Sequence, residues 1–233
     1  MELYHVLNRG VDKRKIFMDS SDYVRFIHDM YAFNSPDRVI NTHRICTSES
    51  ATFAHMLDVR RPTYEQKYDP IVDIHGWCLM GNHYHLLLSE RVEGGLSLFL
   101  KKLNGGYAKY FNERYTRSGA LFQGKTKRIL IDSDGYFLYI LHYIHLNPLD
   151  FLSGAETWRS LTIGVPPDKI LEYLASYRWS SYKDYAGIRN FPSLLNTELF
   201  NDVYQHNYTK ALLKHLQQLD LTSINHLLLE RPE

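Results

Sequence analysis

Gly81-Asn82-His83-Tyr84-His85-Leu86-Leu87-Leu88 constrains the fold more than any other stretch, because it is a short apolar run with histidines at alternate positions. Successive side chains of a strand point to opposite faces, so His83 and His85 share one face, about 7 Å apart along the backbone. Two imidazoles at that spacing can share one divalent cation. They can equally be the polar side of an ordinary alternating strand. Ile71 to Met80 reads as a preceding strand, and Gly81-Asn82 as the tight turn that joins the two into a hairpin. The histidines then open a strand inside a sheet, and the rest of the chain must complete that sheet.

Leu3 to Leu7 supplies a first strand, ended by Asn8-Arg9-Gly10. Asp19-Ser20-Ser21-Asp22 offers N-cap residues for a helix in which Tyr23, Phe26, Ile27, Met30 and Tyr31 recur at helical spacing. Residues 34–70 mix Pro, Ser, Asn, Thr and charges without a period; they are expected to form an insertion or long loop, with a short helix at 51–59. Leu96 to Phe111 is spaced for a long second helix, and Leu121 to Ile131 for a last strand. Asp132-Ser133-Asp134 caps a third helix that runs to about Asn147, before Pro148. The order strand, helix, strand, strand, helix, strand predicts an α+β chain: a ferredoxin-like antiparallel sheet with helices on one face, followed by a partly helical C-terminal extension.

A chain of 233 residues with 44% hydrophobic and 23% charged residues can bury a real core. No apolar run approaches the roughly 18 residues of a membrane span, and Met1 to His5 lacks the pattern of a signal peptide. A cytoplasmic protein with no membrane partner is the expectation. Cys46 and Cys78 are too few for a disulfide framework or a cysteine zinc site.

The net charge of +1 hides a local bias. Lys101, Lys102, Lys109, Arg114, Arg117, Lys125, Lys127 and Arg128 face a single acid, Glu113, between positions 101 and 128, a local charge of +7. Tyr107, Tyr110, Phe111 and Tyr115 lie among them. Cations for phosphates, interleaved with rings for unstacked bases, suit single-stranded nucleic acid. The plainer alternative is a solvated helix face.

On the third helix, at about 100° per residue, Phe137, Ile140, Leu141 and Ile144 form one face and Tyr136, Tyr139, Tyr143 and Asn147 a separate stripe. Three amphipathic tyrosines with hydroxyls in water would explain that stripe.

His83-Tyr84-His85 has the His-hydrophobe-His form of the HUH nucleases, and residues 81–87 resemble the single-tyrosine transposases of the insertion-sequence-200 type. Tyr4 to Gly10, Ser118 to Lys125, Tyr143 to Pro148 and Tyr177 to Tyr182 together resemble the REP-associated tyrosine transposases, over residues 3–33 and 71–187. The resemblance implies a catalytic domain at 1–150 and an extension at 151–233. It implies cleavage and rejoining of single-stranded DNA at hairpins through a 5′-phosphotyrosine, with Tyr143 as nucleophile and Mg²⁺ or Mn²⁺ held by His83, His85 and Asn147. Asn8 and Arg9 would help recognise a single-stranded or hairpin DNA partner, for a monomer or homodimer. The 34–70 segment is longer than the family pattern, and the tail after about 190 matches none of its motifs. A silent DNA-binding relative and a water-using phosphodiesterase are the alternatives.

Overall fold

The computed structural model describes residues 1–37, 69–155, 157–160 and 164–218. The short helix expected at 51–59, and most of the 34–70 segment, lie outside the described residues. β1 (Leu3–Arg9), β2 (Val72–Leu79), β3 (His83–Glu90) and β4 (Lys127–Leu130) form one antiparallel sheet in the order β2-β3-β1-β4. With α1 (Ser20–Ala32) after β1 and α2 (Gly95–Arg114) after β3, this is the ferredoxin-like arrangement. The last strand is shorter than expected. Residues 121–126 cross by a single bridge, Gly10 to Phe122, before β4 begins.

Alternation along the strands sorts side chains into two cores. Val6, Trp77, Leu79, Tyr84, Leu86 and Leu88 meet α1 and α2 on one face. Leu3, Cys78, Met80 and Leu87 meet α3 (Asp134–Leu146) on the other. The helices expected on one face are α1 and α2, and α3 closes the opposite face because the strands carry apolar side chains on both sides. Gly76 permits the close approach of α3: a Cβ at this position would lie 2.6 Å from Leu141 Cδ1. Helices α4 (Pro167–Ser176), α5 (Tyr182–Tyr185), α6 (Glu198–Val203) and α7 (Tyr208–Gln218) follow, and Ile170, Leu174, Phe200 and Leu212 join the core of α3. The Tyr177–Tyr182 stretch covers the outer edge of β2. Leu79 N–H donates to the Trp179 carbonyl at 2.9 Å and Ser181 N–H to that of Trp77 at 3.0 Å, hiding an edge that would otherwise pair with another chain.

Charge organises the α1–α2 contact. Asp19 caps α1 by accepting from the backbone N–H of Ser21 and Asp22. Asp22 is fully buried and accepts from Arg114 (3.0 Å), Tyr110 (2.9 Å), Tyr115 (2.8 Å) and the Met18 N–H (2.7 Å). A second buried carboxylate, Asp29, takes Arg25 at 2.9 Å, and that guanidinium lies 4.8 Å from the Tyr110 ring. At the far end of α1, Asn34 clasps the start of β2: its Oδ1 accepts from the N–H of Ile71 and Val72, both at 3.0 Å, and its Nδ2 donates to the Val72 carbonyl at 2.8 Å.

Behind α3 lies a polar cluster. His142 and His145 place Nδ1 3.2 and 2.7 Å from Tyr208 Oη, His145 Nε2 lies 2.7 Å from Ser181 Oγ, and His215 stacks on His142 at 4.9 Å.

Two outcomes follow from these arrangements. Asp22→Ala strips four donors of their acceptor and is expected to cost about 3 kcal/mol in urea denaturation; a loss below about 0.5 kcal/mol, the range of ordinary surface changes, would contradict the hub. Burial lowers the pKa of His145 to about 3, that of His215 to about 4, and that of His142 well below its usual value. Unfolding returns them to about 6.5, so below that pH the unfolded chain binds more protons and the fold loses stability until the folded values are passed. The melting temperature is therefore expected to fall steadily from pH 7 to pH 4, with His142→Gln flattening the decline.

Candidate active site

The β1–β3 register builds one side of the site. Arg9 pairs with His83, Leu7 with His85 and His5 with Leu87, so His5, His83, His85 and Arg9 share the face that α3 covers. On β4, Lys127 lies opposite Leu7 on that same face. The His83 and His85 rings meet edge to face, their centroids 5.0 Å apart. α3 supplies the other side, started by the Ser133 side chain accepting from the Tyr136 N–H. Tyr143 stands edge-on to both His85 and His5, each at 5.8 Å.

The tyrosine stripe is therefore inside. Tyr136, Tyr139 and Tyr143 are buried, Tyr143 to 1% exposure, and Asn147 follows at the end of α3. Asn147 Nδ2 donates to the Tyr143 carbonyl at 2.8 Å and its Oδ1 accepts from Arg159 at 2.7 Å. The Arg159 guanidinium also binds Asp150, lies 4.3 Å from the Trp158 ring and stands 6.0 Å from that of Tyr143. Trp158 itself lies 5.7 Å from Tyr143, its indole N–H fixed to Asp150 at 2.7 Å. The segment after α3 thus folds back over the phenol.

His5, one residue of the Tyr4 to Gly10 motif with no role of its own in the sequence, lies beside the histidine pair. Its Nε2 lies 2.9 Å from His85 Nδ1 and its Nδ1 3.1 Å from Tyr136 Oη. A histidine in β1 is 78 positions from His83 in sequence, and only the strand pairing brings them together. Burial, then the nearby charges of His83, His5, Arg159 and Arg9, hold the pKa of His85 well below its usual value, so the ring is neutral at physiological pH. Burial likewise raises the phenols of Tyr136 and Tyr139.

A neutral imidazole such as that of His85 suits a divalent cation. The Asn82 amide donates to the Lys13 carbonyl at 3.2 Å, which turns its Oδ1 toward His83 Nδ1 at 2.6 Å; that nitrogen therefore carries a proton, so in the neutral ring the lone pair lies on Nε2. Among the described residues no group of three His, Cys, Asp or Glu side chains is placed to hold a metal. Two imidazoles would have to be completed by a neutral amide such as Asn147, by water or by a substrate oxygen, and the Asn147 oxygen is engaged by Arg159.

The basic run is dispersed. Arg114 is bound to Asp19 and Asp22, Lys102 to the carbonyls of Ser35, Pro36 and Asp37, Arg117 to Asn112 and Ala120, and Arg128 to Ser97. Lys109 pairs loosely with Glu113 at 3.8 Å. Lys101, Lys125 and Lys127 are exposed. Tyr107 and Phe111 are core residues, the hydroxyls of Tyr110 and Tyr115 are committed to Asp22, and Arg25 and Arg114 lie 4.8 and 5.9 Å from the Tyr110 ring. Asn8 is buried on the other face; its Nδ2 donates to Thr126 Oγ1 at 3.1 Å, which also receives Asn104 at 2.8 Å.

No protein-family model matches the chain, and no curated protein matches it. It is similar to a solved structure of a REP-associated tyrosine transposase bound to a REP hairpin, with a TM-score of 0.42 and 10% identity over 84% of this chain and 85% of that one. No described helix is long and apolar enough to cross a membrane.

Arg159→Ala removes part of the cover over the Tyr143 ring while sparing its helix. Nitration of Tyr143 by tetranitromethane, followed by peptide mass mapping, is expected to be slow in the wild type and faster in the variant. Equal rates would mean that the Arg159 side chain does not shield the phenol.

Proposed function

We propose that this protein nicks and rejoins single-stranded DNA at hairpins, with Tyr143 as the nucleophile. The observation that carries the reading is the convergence of a phenol with two imidazoles, from α3 and β3, on one sheet face: His85 lies 5.8 Å from Tyr143 and 5.0 Å from His83. The four ordered motifs that resemble the REP-associated tyrosine transposases support it independently.

His83 and His85 would hold Mg²⁺ or Mn²⁺, with Asn147 as a third ligand once Arg159 releases its oxygen. Such a cation, when bound, draws charge from a non-bridging phosphate oxygen and orients the phosphate. Tyr143 Oη attacks phosphorus, the bond from phosphorus to the 3′ oxygen breaks, and the phenolic proton is balanced by the one the 3′ oxygen gains. The product is a 5′-phosphotyrosine and a free 3′-hydroxyl, and attack by a 3′-hydroxyl in the reverse sense rejoins the strand. Arg9 and Lys127 on the same face, with the exposed Lys125 two positions before Lys127, provide cations for the DNA backbone. Asn8 would act by shaping the β1 end rather than by touching DNA, since its amide is committed to Thr126.

A second reading, a hairpin-binding relative without chemistry, is favoured by the burial of Tyr143 beneath Trp158 and Arg159. One experiment separates the two. Incubated with a hairpin carrying a single-stranded foot and Mn²⁺, the wild type is expected to yield DNA joined through its 5′ phosphate to Tyr143, identified by mass spectrometry. Tyr143→Phe should bind the hairpin normally and form no adduct. His83→Ala and His85→Ala, or chelation by EDTA, should preserve binding and abolish cleavage, and Asn147→Ala should raise the metal concentration required. Binding without any adduct would establish the silent reading, and an adduct on Tyr136 or Tyr139 would displace Tyr143 as the nucleophile.

A further inference from the structure

Behind His85 runs a buried chain of three polar side chains, and its proton order decides what His85 can bind. His85, His5 and Tyr136 are each exposed by no more than 1%, the two imidazole planes lie 21° apart with centroids at 5.2 Å, and the contacts are 2.9 Å from His85 Nδ1 to His5 Nε2 and 3.1 Å from His5 Nδ1 to Tyr136 Oη. The pairing makes this possible: His5 is diagonal to His85 on neighbouring strands, within reach of a ring.

A neutral imidazole has one donor and one acceptor nitrogen, so the protons run along this chain in one of two directions. If Tyr136 donates to His5 and His5 to His85, the His85 proton sits on Nε2 and no lone pair faces the site. If His85 donates to His5 and His5 to Tyr136, Nε2 carries the lone pair. The neighbouring His83 is already fixed in that second form by Asn82. Only the second direction gives two matching lone pairs on one sheet face. We propose that His5 is a positioning residue, accepting the Nδ1 proton of His85 and donating its own to Tyr136, so that His85 presents Nε2 to a divalent cation. The assignment rests on the reading of His83 and His85 as cation ligands.

The test has two readouts that do not involve DNA cleavage. Ring ¹⁵N chemical shifts of the metal-free protein report which nitrogen of His85 carries the proton, and electron paramagnetic resonance of free Mn²⁺ reports affinity. The wild type should show His85 protonated on Nδ1. His5→Leu, similar in bulk but without an acceptor, should move that proton to Nε2 and weaken Mn²⁺ binding about 10- to 100-fold. His5→Gln, whose amide oxygen restores an acceptor, should keep the wild-type tautomer and recover most of the affinity. Should His5→Leu fail to fold, Tyr136→Phe, lacking only the oxygen, should shift the same His85 signal. Protonation of wild-type His85 on Nε2 overturns the proposal. So does an unchanged tautomer or Mn²⁺ affinity in His5→Leu, or in Tyr136→Phe where that variant stands in. Failure of the underlying reading looks different: wild type and His83→Ala would then bind Mn²⁺ equally, whereas a wild type that binds and a His83→Ala that does not leave only the role of His5 in question.

Discussion

Everything in the site depends on the register between β1 and β3. With Leu7 opposite His85, the histidines, Arg9 and His5 all look toward α3, and Tyr84, Leu86 and Val6 look into the other core. Because side chains alternate with a period of two, a slip by one residue would send the imidazoles into the α1–α2 core and bring Tyr84 to the site. The register is held from both sides, by apolar residues on each face, and by the turn. The Gly81 carbonyl accepts from Ile16 and the Asn82 carbonyl from Gly10. The hairpin tip is thereby tied to the chain leaving β1, and sheet geometry and site geometry become one constraint.

α3 is the second constraint, because it serves two surfaces at once. Its front carries the tyrosine stripe toward the histidines, and its rear carries His142 and His145 against Tyr208 and Ser181. A helix buried on both sides has few ways to rotate, so the placement of Tyr143 is inherited from the packing of the C-terminal helices as much as from the sheet. The tail that matches no motif after about residue 190 has this structural part to play: Phe200 stacks on Phe137 at 5.2 Å and Tyr204 donates to the Leu138 carbonyl at 2.8 Å.

Much of the fold was legible in the sequence because periodicity reports burial. The alternating 83–88 run, the capped helix after Asp19 and the order of elements all carried over. What stayed hidden depends on partners distant in the chain. His5 reads as one polar residue in a strand until β3 lies beside it. The basic stretch is visible by its sign, yet Asp19 and Asp22, more than ninety residues from Arg114, decide that this arginine and two of the interleaved tyrosines serve the fold. The tyrosine stripe was visible as a face, but helical periodicity cannot tell water from a second layer of protein.

The Asn34 side chain bonds both the N–H and the carbonyl of Val72, and the N–H of Ile71, so the chain leaves α1 and returns to the sheet at a single point. One side chain therefore holds both ends of the intervening sequence together. The entropic cost of bringing two chain ends together grows only with the logarithm of the length between them, about 0.6 kcal/mol per doubling. The strand order and the histidine face are thus insulated from how much sequence lies between the two ends of the knot, and a lineage carrying this fold is at liberty to lengthen, shorten or exchange that sequence without retuning the site.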